Sequence, residues 1–188
     1  NPEFAAAKAA GVPMLTRAEL LGQIMRNYDT PIAVSGTHGK TTTTSMLSHI
    51  LMAADCDPTI SVGGILPSIG GNIRVGHSET FLTEACEYTN SFLSFFPKIG
   101  IILNMDADHL DFFKDIDDIR HSFRAFARLL PTDGMLIINA DTPKYDYVTE
   151  GLGCKVVTYA LENQAVADYT AANITYCLLY TSPSPRDS

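Results

Sequence analysis

Along this chain, short unbroken apolar runs alternate with stretches in which apolar residues recur at every third or fourth position. The first pattern is that of strands buried on both faces, the second that of helices with one buried stripe. The runs are Pro31-Ile32-Ala33-Val34, Thr59-Ile60-Ser61-Val62, Thr80 to Ala85, Ile99 to Asn104, Met135 to Asn139 and Lys155 to Tyr159. Helical spacing joins Met46, Leu47, Ile50, Leu51 and Ala54, and again Ile116, Ile119, Phe123, Phe126, Ala127 and Leu130, closed by Pro131. Asp115 or Asp117 is placed to cap this second helix. Shorter helices are predicted over Asn90 to Phe96, stopped by Pro97, and over Thr142 to Glu150. Asp168 to Thr175 alternates weakly and reads as one more strand. Near the start, Phe4 to Ala10 is helix-prone, and Thr16 with Glu19 forms a capping box that predicts a helix from Arg17 to about Asn27. Glycines 63, 64, 70, 71 and 76 mark a long loop or hairpin. Strands alternating with helices predict an α/β fold, a mostly parallel sheet flanked by helices, with ligands at the carboxyl ends of the strands.

Composition narrows the partners. The 188 residues carry a formal net charge of -8, which argues against a broad nucleic-acid-binding face and requires any phosphate site to be built locally. No apolar run is long enough to predict membrane insertion, and no signal-peptide pattern opens the chain. Cys56, Cys86, Cys154 and Cys177 lack metal-ligand spacing and read as buried free thiols of a cytoplasmic protein. Residues 176–188, with two prolines and no periodicity, read as a disordered tail and a candidate for non-native sequence.

Between the first apolar run and the first long helix lies Ser35-Gly36-Thr37-His38-Gly39-Lys40-Thr41-Thr42. A glycine-bearing turn from strand to helix that ends in Gly-Lys-Thr is a phosphate cradle: glycines let backbone N–H groups close on phosphate oxygens at the positive end of the helix. Lys40 can reach the terminal phosphates, and the Thr41 hydroxyl can bind Mg²⁺. The general pattern has a further glycine five positions before Gly39, where this chain has Val34.

Three polar clusters follow strand candidates: Glu84-Ala85-Cys86-Glu87-Tyr88, Asn104 to Asp111, and Asn139-Ala140-Asp141. Carboxylates and a histidine beside a nucleotide are candidate Mg²⁺ ligands. Read alone, Glu84 is equally a solvated or capping charge, and Asp106, Asp108 and Asp111 are equally turn residues. His49 and His121 read as surface or packing residues.

Together, the loop Gly36 to Thr42, the segment Glu84-x-x-Glu87-x-x-x-Ser91-Phe92 and the segment Asp108-His109-Leu110-Asp111 resemble the Mur ligase family, over roughly Asn1 to Thr175. His38 and the two acidic segments are most similar to the branch that joins L-alanine to UDP-N-acetylmuramate in peptidoglycan precursor synthesis. The resemblance implies a P-loop NTPase-like central domain using ATP and Mg²⁺. Gly36, Thr37, His38, Gly39, Lys40, Thr41 and Thr42 would bind the phosphates. Thr41 and Glu84 would hold one Mg²⁺ and His109 a second, with Lys40, Glu84 and His109 as the catalytic set. The implied reaction activates the muramoyl carboxylate as an acyl phosphate, which the alanine amine then attacks. A branch that joins a whole peptide to the same sugar acid has a similar loop, and a nucleotide-binding piece without activity is a further reading. Several members carry a carbamylated lysine in the helix after the Asp-His segment; this chain has no lysine between Lys114 and Lys144, which fits the alanine-adding branch, and Arg124 lies in that helix. Residues 1–28 are expected to end an N-terminal UDP-sugar-binding domain and its connector, and 29–175 to form most of the central domain. Lacking its neighbouring N- and C-terminal domains, the chain is expected not to ligate alone.

Overall fold

The computed structural model describes residues 1–174. The tail at 176–188, Cys177 and the last residue of the strand expected over 168–175 lie outside the described residues. In chain order the elements are α1 (Pro2–Ala9), α2 (Arg17–Met25), β1 (Thr30–Ser35), α3 (Lys40–Ala53), β2 (Thr59–Leu66), β3 (Gly71–Arg74), β4 (Thr80–Glu84), β5 (Ile99–Ile102), α4 (Ile116–Ala127), β6 (Met135–Asn139), α5 (Tyr145–Thr149), β7 (Lys155–Ala160) and β8 (Tyr169–Thr170), with short 3-10 turns between some of them.

The strands form one sheet in the order β3-β2-β4-β1-β5-β6-β7-β8. Only β3 runs antiparallel, as the return arm of a hairpin from β2; the other pairings are parallel. This is the α/β fold that the alternation predicts. β1 lies between β4 and β5, pairing Val34 with Glu84 on one side and Ile101 on the other. The chain builds outward from β1 to β2 on one flank, then crosses to β5 on the other. The loops after β1, β4 and β5 therefore meet at one crevice at the strands' carboxyl ends.

Two apolar layers hold the sheet. On one face Ile32, Val34, Leu82 and Ile101 pack with Leu47 and Leu51 of α3. On the other, Phe92, Phe123 and Phe126 form the centre of the larger core. Phe92 stacks on Phe126 with ring centroids 4.8 Å apart. Asp115 is the N-cap of α4, accepting from the Asp118 N–H at 2.9 Å. The Thr16–Glu19 capping box starts α2, and Gly22 lets α2 close on the chain after β4, where a Cβ would collide with the Ser94 carbonyl. α1 buries no residue.

Several expectations change in detail. The helix predicted over 90–96 is a 3-10 segment, Tyr88–Ser94, kinked where Thr89 and Asn90 adopt φ of 55° and 57°. α5 is shorter than its pattern because Lys144 sits in the left-handed region before it. β5 stops at Ile102, and the weak strand near the end is only Tyr169–Thr170. Among the described cysteines only Cys154 is buried; Cys56 is half-buried and Cys86 exposed, and all three are free thiols.

Candidate functional site

The loop after β1 is held open by its neighbours. Gly36 has φ 141°, and a Cβ there would sit 2.9 Å from the Leu103 Cβ, so only glycine fits. The Thr37 N–H donates to the Asn104 carbonyl at 3.2 Å, and the His38 N–H to Asn104 Oδ1 at 2.8 Å. Asn104 Nδ2 donates back to the His38 carbonyl at 3.1 Å, and the Asp106 N–H to Thr37 Oγ1 at 2.9 Å. The segment after β5 thus fastens the outer rim of the loop. Gly39, with φ 81°, is the N-cap of α3 and offers no side-chain acceptor. The first-turn N–H groups of this helix are left to face a ligand, with the positive end of the dipole behind them.

Lys40 folds back over this cradle. Its Nζ donates to the Gly36 carbonyl at 2.6 Å and the Thr37 carbonyl at 3.2 Å, and reaches Glu87 Oε2 at 2.9 Å and Oε1 at 3.2 Å. Beside it, Thr41 Oγ1 donates to Glu84 Oε2 at 3.0 Å, and the Gly63 N–H donates to Glu84 Oε1 at 2.6 Å. His109 Nε2 is 3.7 Å from Glu87 Oε1, and the His109 ring lies against Tyr88 with centroids 4.7 Å apart. A narrow cavity of about 100 Å³ opens beside Glu84, bordered by Arg17, Ser61, Gly63, Cys86 and Ser91.

Of the residues singled out in the sequence, the structure joins Thr41 to Glu84 and leaves His109 beside Glu87, with no hydrogen bond or ion pair between His109 and Glu84. Among the described residues no group of three or more His, Cys, Asp or Glu side chains is arranged to hold a metal ion. A hydroxyl and a carboxylate do meet beside the loop. Thr41 and Glu84 supply both as hard oxygen donors, as Mg²⁺ prefers. The space is kept for them: a Cβ on Gly63 would stand 2.7 Å from Glu84 Oε2. His38 is exposed, with its ring 3.9 Å from Asp106. Thr42, on the first turn of α3, is exposed.

The remaining acidic candidates are spent on backbone N–H groups and on a tyrosine hydroxyl. Asp108 accepts the His109 N–H at 2.7 Å. Asp111 accepts from the Tyr88 hydroxyl at 2.8 Å, and that bond raises the tyrosine's pKa. Asp141 accepts from the N–H groups of Leu161 and Asn163, each at 2.7 Å, and these bonds hold its carboxyl below the usual range. Arg124 turns away from the site: its guanidinium donates to the Tyr147 carbonyl at 2.8 Å and lies over the Tyr147 ring, pinning α4 to α5.

The sequence names Glu87 only within a cluster of candidate Mg²⁺-binding carboxylates, and gives no role of their own to Gly63 or Asn104. The Glu-x-x-Glu spacing carries a signal for Glu87; a glycine inside a strand pattern, which marks close approach, carries one for Gly63.

Residues 34–181 match the family model described as the Mur ligase middle domain. A UDP-N-acetylmuramate–L-alanine ligase of Agathobacter rectalis is 65% identical over 176 residues, which are 94% of this chain; the chain spans 38% of that relative's length. Among solved structures, the UDP-N-acetylmuramate-alanine ligase of Thermotoga maritima aligns with TM-score 0.72 at 28% identity, covering 86% of this chain and 36% of that one. The UDP-N-acetylmuramate:L-alanyl-gamma-D-glutamyl-meso-diaminopimelate ligase of Neisseria meningitides aligns with TM-score 0.75 at 26% identity, covering 83% and 53%.

Proposed function

The chain belongs to the Mur ligase family, and from that premise we propose that it is the ATP-handling part of an enzyme that joins L-alanine to UDP-N-acetylmuramate. Residues 1–28 are read as the end of a UDP-sugar-binding domain with its connector, and 29–175 as the central domain. One observation carries the reading of the site: a glycine turn at the N-terminus of α3 sets Lys40 over the cradle and Thr41 against Glu84. The choice of substrates rests on the relatives, since those between 51% and 65% identical over nearly the whole chain are UDP-N-acetylmuramate–L-alanine ligases. The peptide-joining alternative has a similar loop and a structural likeness at 26% identity behind it.

When bound, ATP would give its γ-phosphoryl group to the muramoyl carboxylate with ADP leaving, and the alanine amine would then displace phosphate from the acyl phosphate. Thr41 and Glu84 would hold Mg²⁺ against the phosphates, with His109 as the donor to a second ion, and the ions would neutralise phosphate charge. The residues of this chain do the rest by position. The α3 N–H groups hold phosphate oxygens, and Lys40 meets the charge that grows on them during transfer. The stitching of the loop to Asn104 and Asp106 fixes where those donors point. Such a reaction belongs in the cytoplasm, where ATP is at hand and free thiols persist; among the described residues no helix is long and apolar enough to cross a membrane.

Calorimetric titration of the chain with ATP and Mg²⁺ tests the site. Saturable binding is expected, abolished by Lys40→Ala. Binding that survives this substitution would place the phosphates elsewhere.

A further inference from the structure

Glu87 is a buried acid that the mechanism above leaves unused. It is 2% exposed and carries its charge between two partners, Lys40 on one side and His109 on the other. We infer that Glu87 is a positioning residue that exchanges partners when nucleotide binds: it holds Lys40 while the cradle is open, and orients His109 once Lys40 has turned to phosphate. The inference rests on the nucleotide site read above.

Lys40 has three donors, and the loop uses them on Gly36, Thr37 and Glu87. To reach a phosphate oxygen it must release at least one. A phosphate competes most directly with the carboxylate, since both are anionic acceptors of the same ammonium. A carboxylate this buried cannot be left without a partner. The His109 ring, at 3.7 Å, is the group beside it. A histidine that gives one ring nitrogen to a cation is set in place by an acceptor on the other. The backbone around Glu87 is pinned for such a swing: the Asn90 N–H donates to the Glu87 carbonyl at 2.9 Å, and the Phe92 N–H to the Cys86 carbonyl at 3.0 Å. Only side-chain torsions need change.

The test is calorimetric titration of the full chain with ATP, with and without Mg²⁺, in the wild type and in Glu87→Gln. Without Mg²⁺ the variant should bind ATP about fivefold more tightly, because a negative charge near the phosphates is gone and Lys40 is released. The gain in affinity on adding Mg²⁺ should shrink about tenfold, because His109 loses its orienting partner. A residue that merely supports the fold would weaken both affinities together, and that result, or no change in either, overturns the inference. Glu87→Asp keeps the charge with a shorter reach. It should bind Mg²⁺-free ATP like the wild type yet lose the Mg²⁺ gain; an undiminished gain in this variant also overturns the inference, even if Glu87→Gln fails to fold. Failure of the wild type to bind ATP in any condition overturns the nucleotide-site reading itself and this inference with it. Wild-type binding with an unaltered Mg²⁺ gain in the variants overturns this inference alone.

Discussion

Glu84 is held by two groups that differ in kind, the Thr41 hydroxyl and the Gly63 N–H. The second contact is close because Gly63 has no side chain. Gly63→Ala would bring a Cβ to 2.7 Å from Glu84 Oε2, the mobile end of a flexible side chain. The fold should absorb this, so the melting temperature should barely move. Glu84 should be pushed off Thr41, however, and Mg²⁺-dependent ATP affinity should fall about tenfold, as when the support of a metal ligand is disturbed. Thermal melting and calorimetry on the same sample separate the two effects. Asp57 makes a different residue-scale prediction. Arg74 beside it, helped by the His77 N–H, holds its carboxyl down at about 2. A depressed carboxylate stabilises the fold fully above its ordinary value of 3.8 and loses that contribution as pH falls through about 2. Asp57→Asn should therefore flatten the low-pH limb of a melting-temperature profile while leaving the neutral limb's slope unchanged.

Elements that bury a regular stripe were legible in the sequence. α4 follows its stripe from Ile119 to Phe126 and takes its cap from Asp115. The central strands are unbroken apolar runs because β1, β4, β5 and β6 are covered on both faces. The segment after β4 was not legible as it stands. Its Ser, Phe and Leu residues have helical spacing, but Thr89 and Asn90 turn left-handed, and Asn90 accepts a hydrogen bond from Ser122 of α4. That partner lies far along the chain, where a local window cannot register it. The glycine turn from β1 to α3 was legible because its glycines and its lysine act within a few residues of one another. Glu87 and Asn104 were not, because their partners come from other loops. Phe92 joins this kinked segment to α4 through Phe126, which is fully buried. Phe126→Ala should cost about 3–5 kcal/mol in denaturant unfolding. It should also shrink the gain in ATP affinity on adding Mg²⁺, since the segment it supports carries Glu87.

At the scale of the whole molecule, the chain spans 38% of the length of the relative it matches at 65% identity. The crevice at the strand ends carries the donors proposed for phosphate, but the cavity beside Glu84 is only about 100 Å³, smaller than the several hundred Å³ or more of usual ligand clefts. The purified chain should therefore bind ATP yet release no phosphate in response to UDP-N-acetylmuramate and L-alanine. A coupled phosphate assay checks this, and substrate-dependent release would show that the described crevice suffices for the reaction.

The position of β1 has a consequence for how such a protein is made. Its loop is closed by Asn104 and Asp106, which follow His38 and Thr37 by 66 and 69 residues. On a ribosome, Gly36 to Thr42 emerge well before the groups that fasten them. Until the segment after β5 has left the exit tunnel, the nascent chain displays the letters of a nucleotide site with nothing to fix their geometry. A nucleotide bound there would then be a ligand of a sheet already partly built, and could not guide the first steps of its folding.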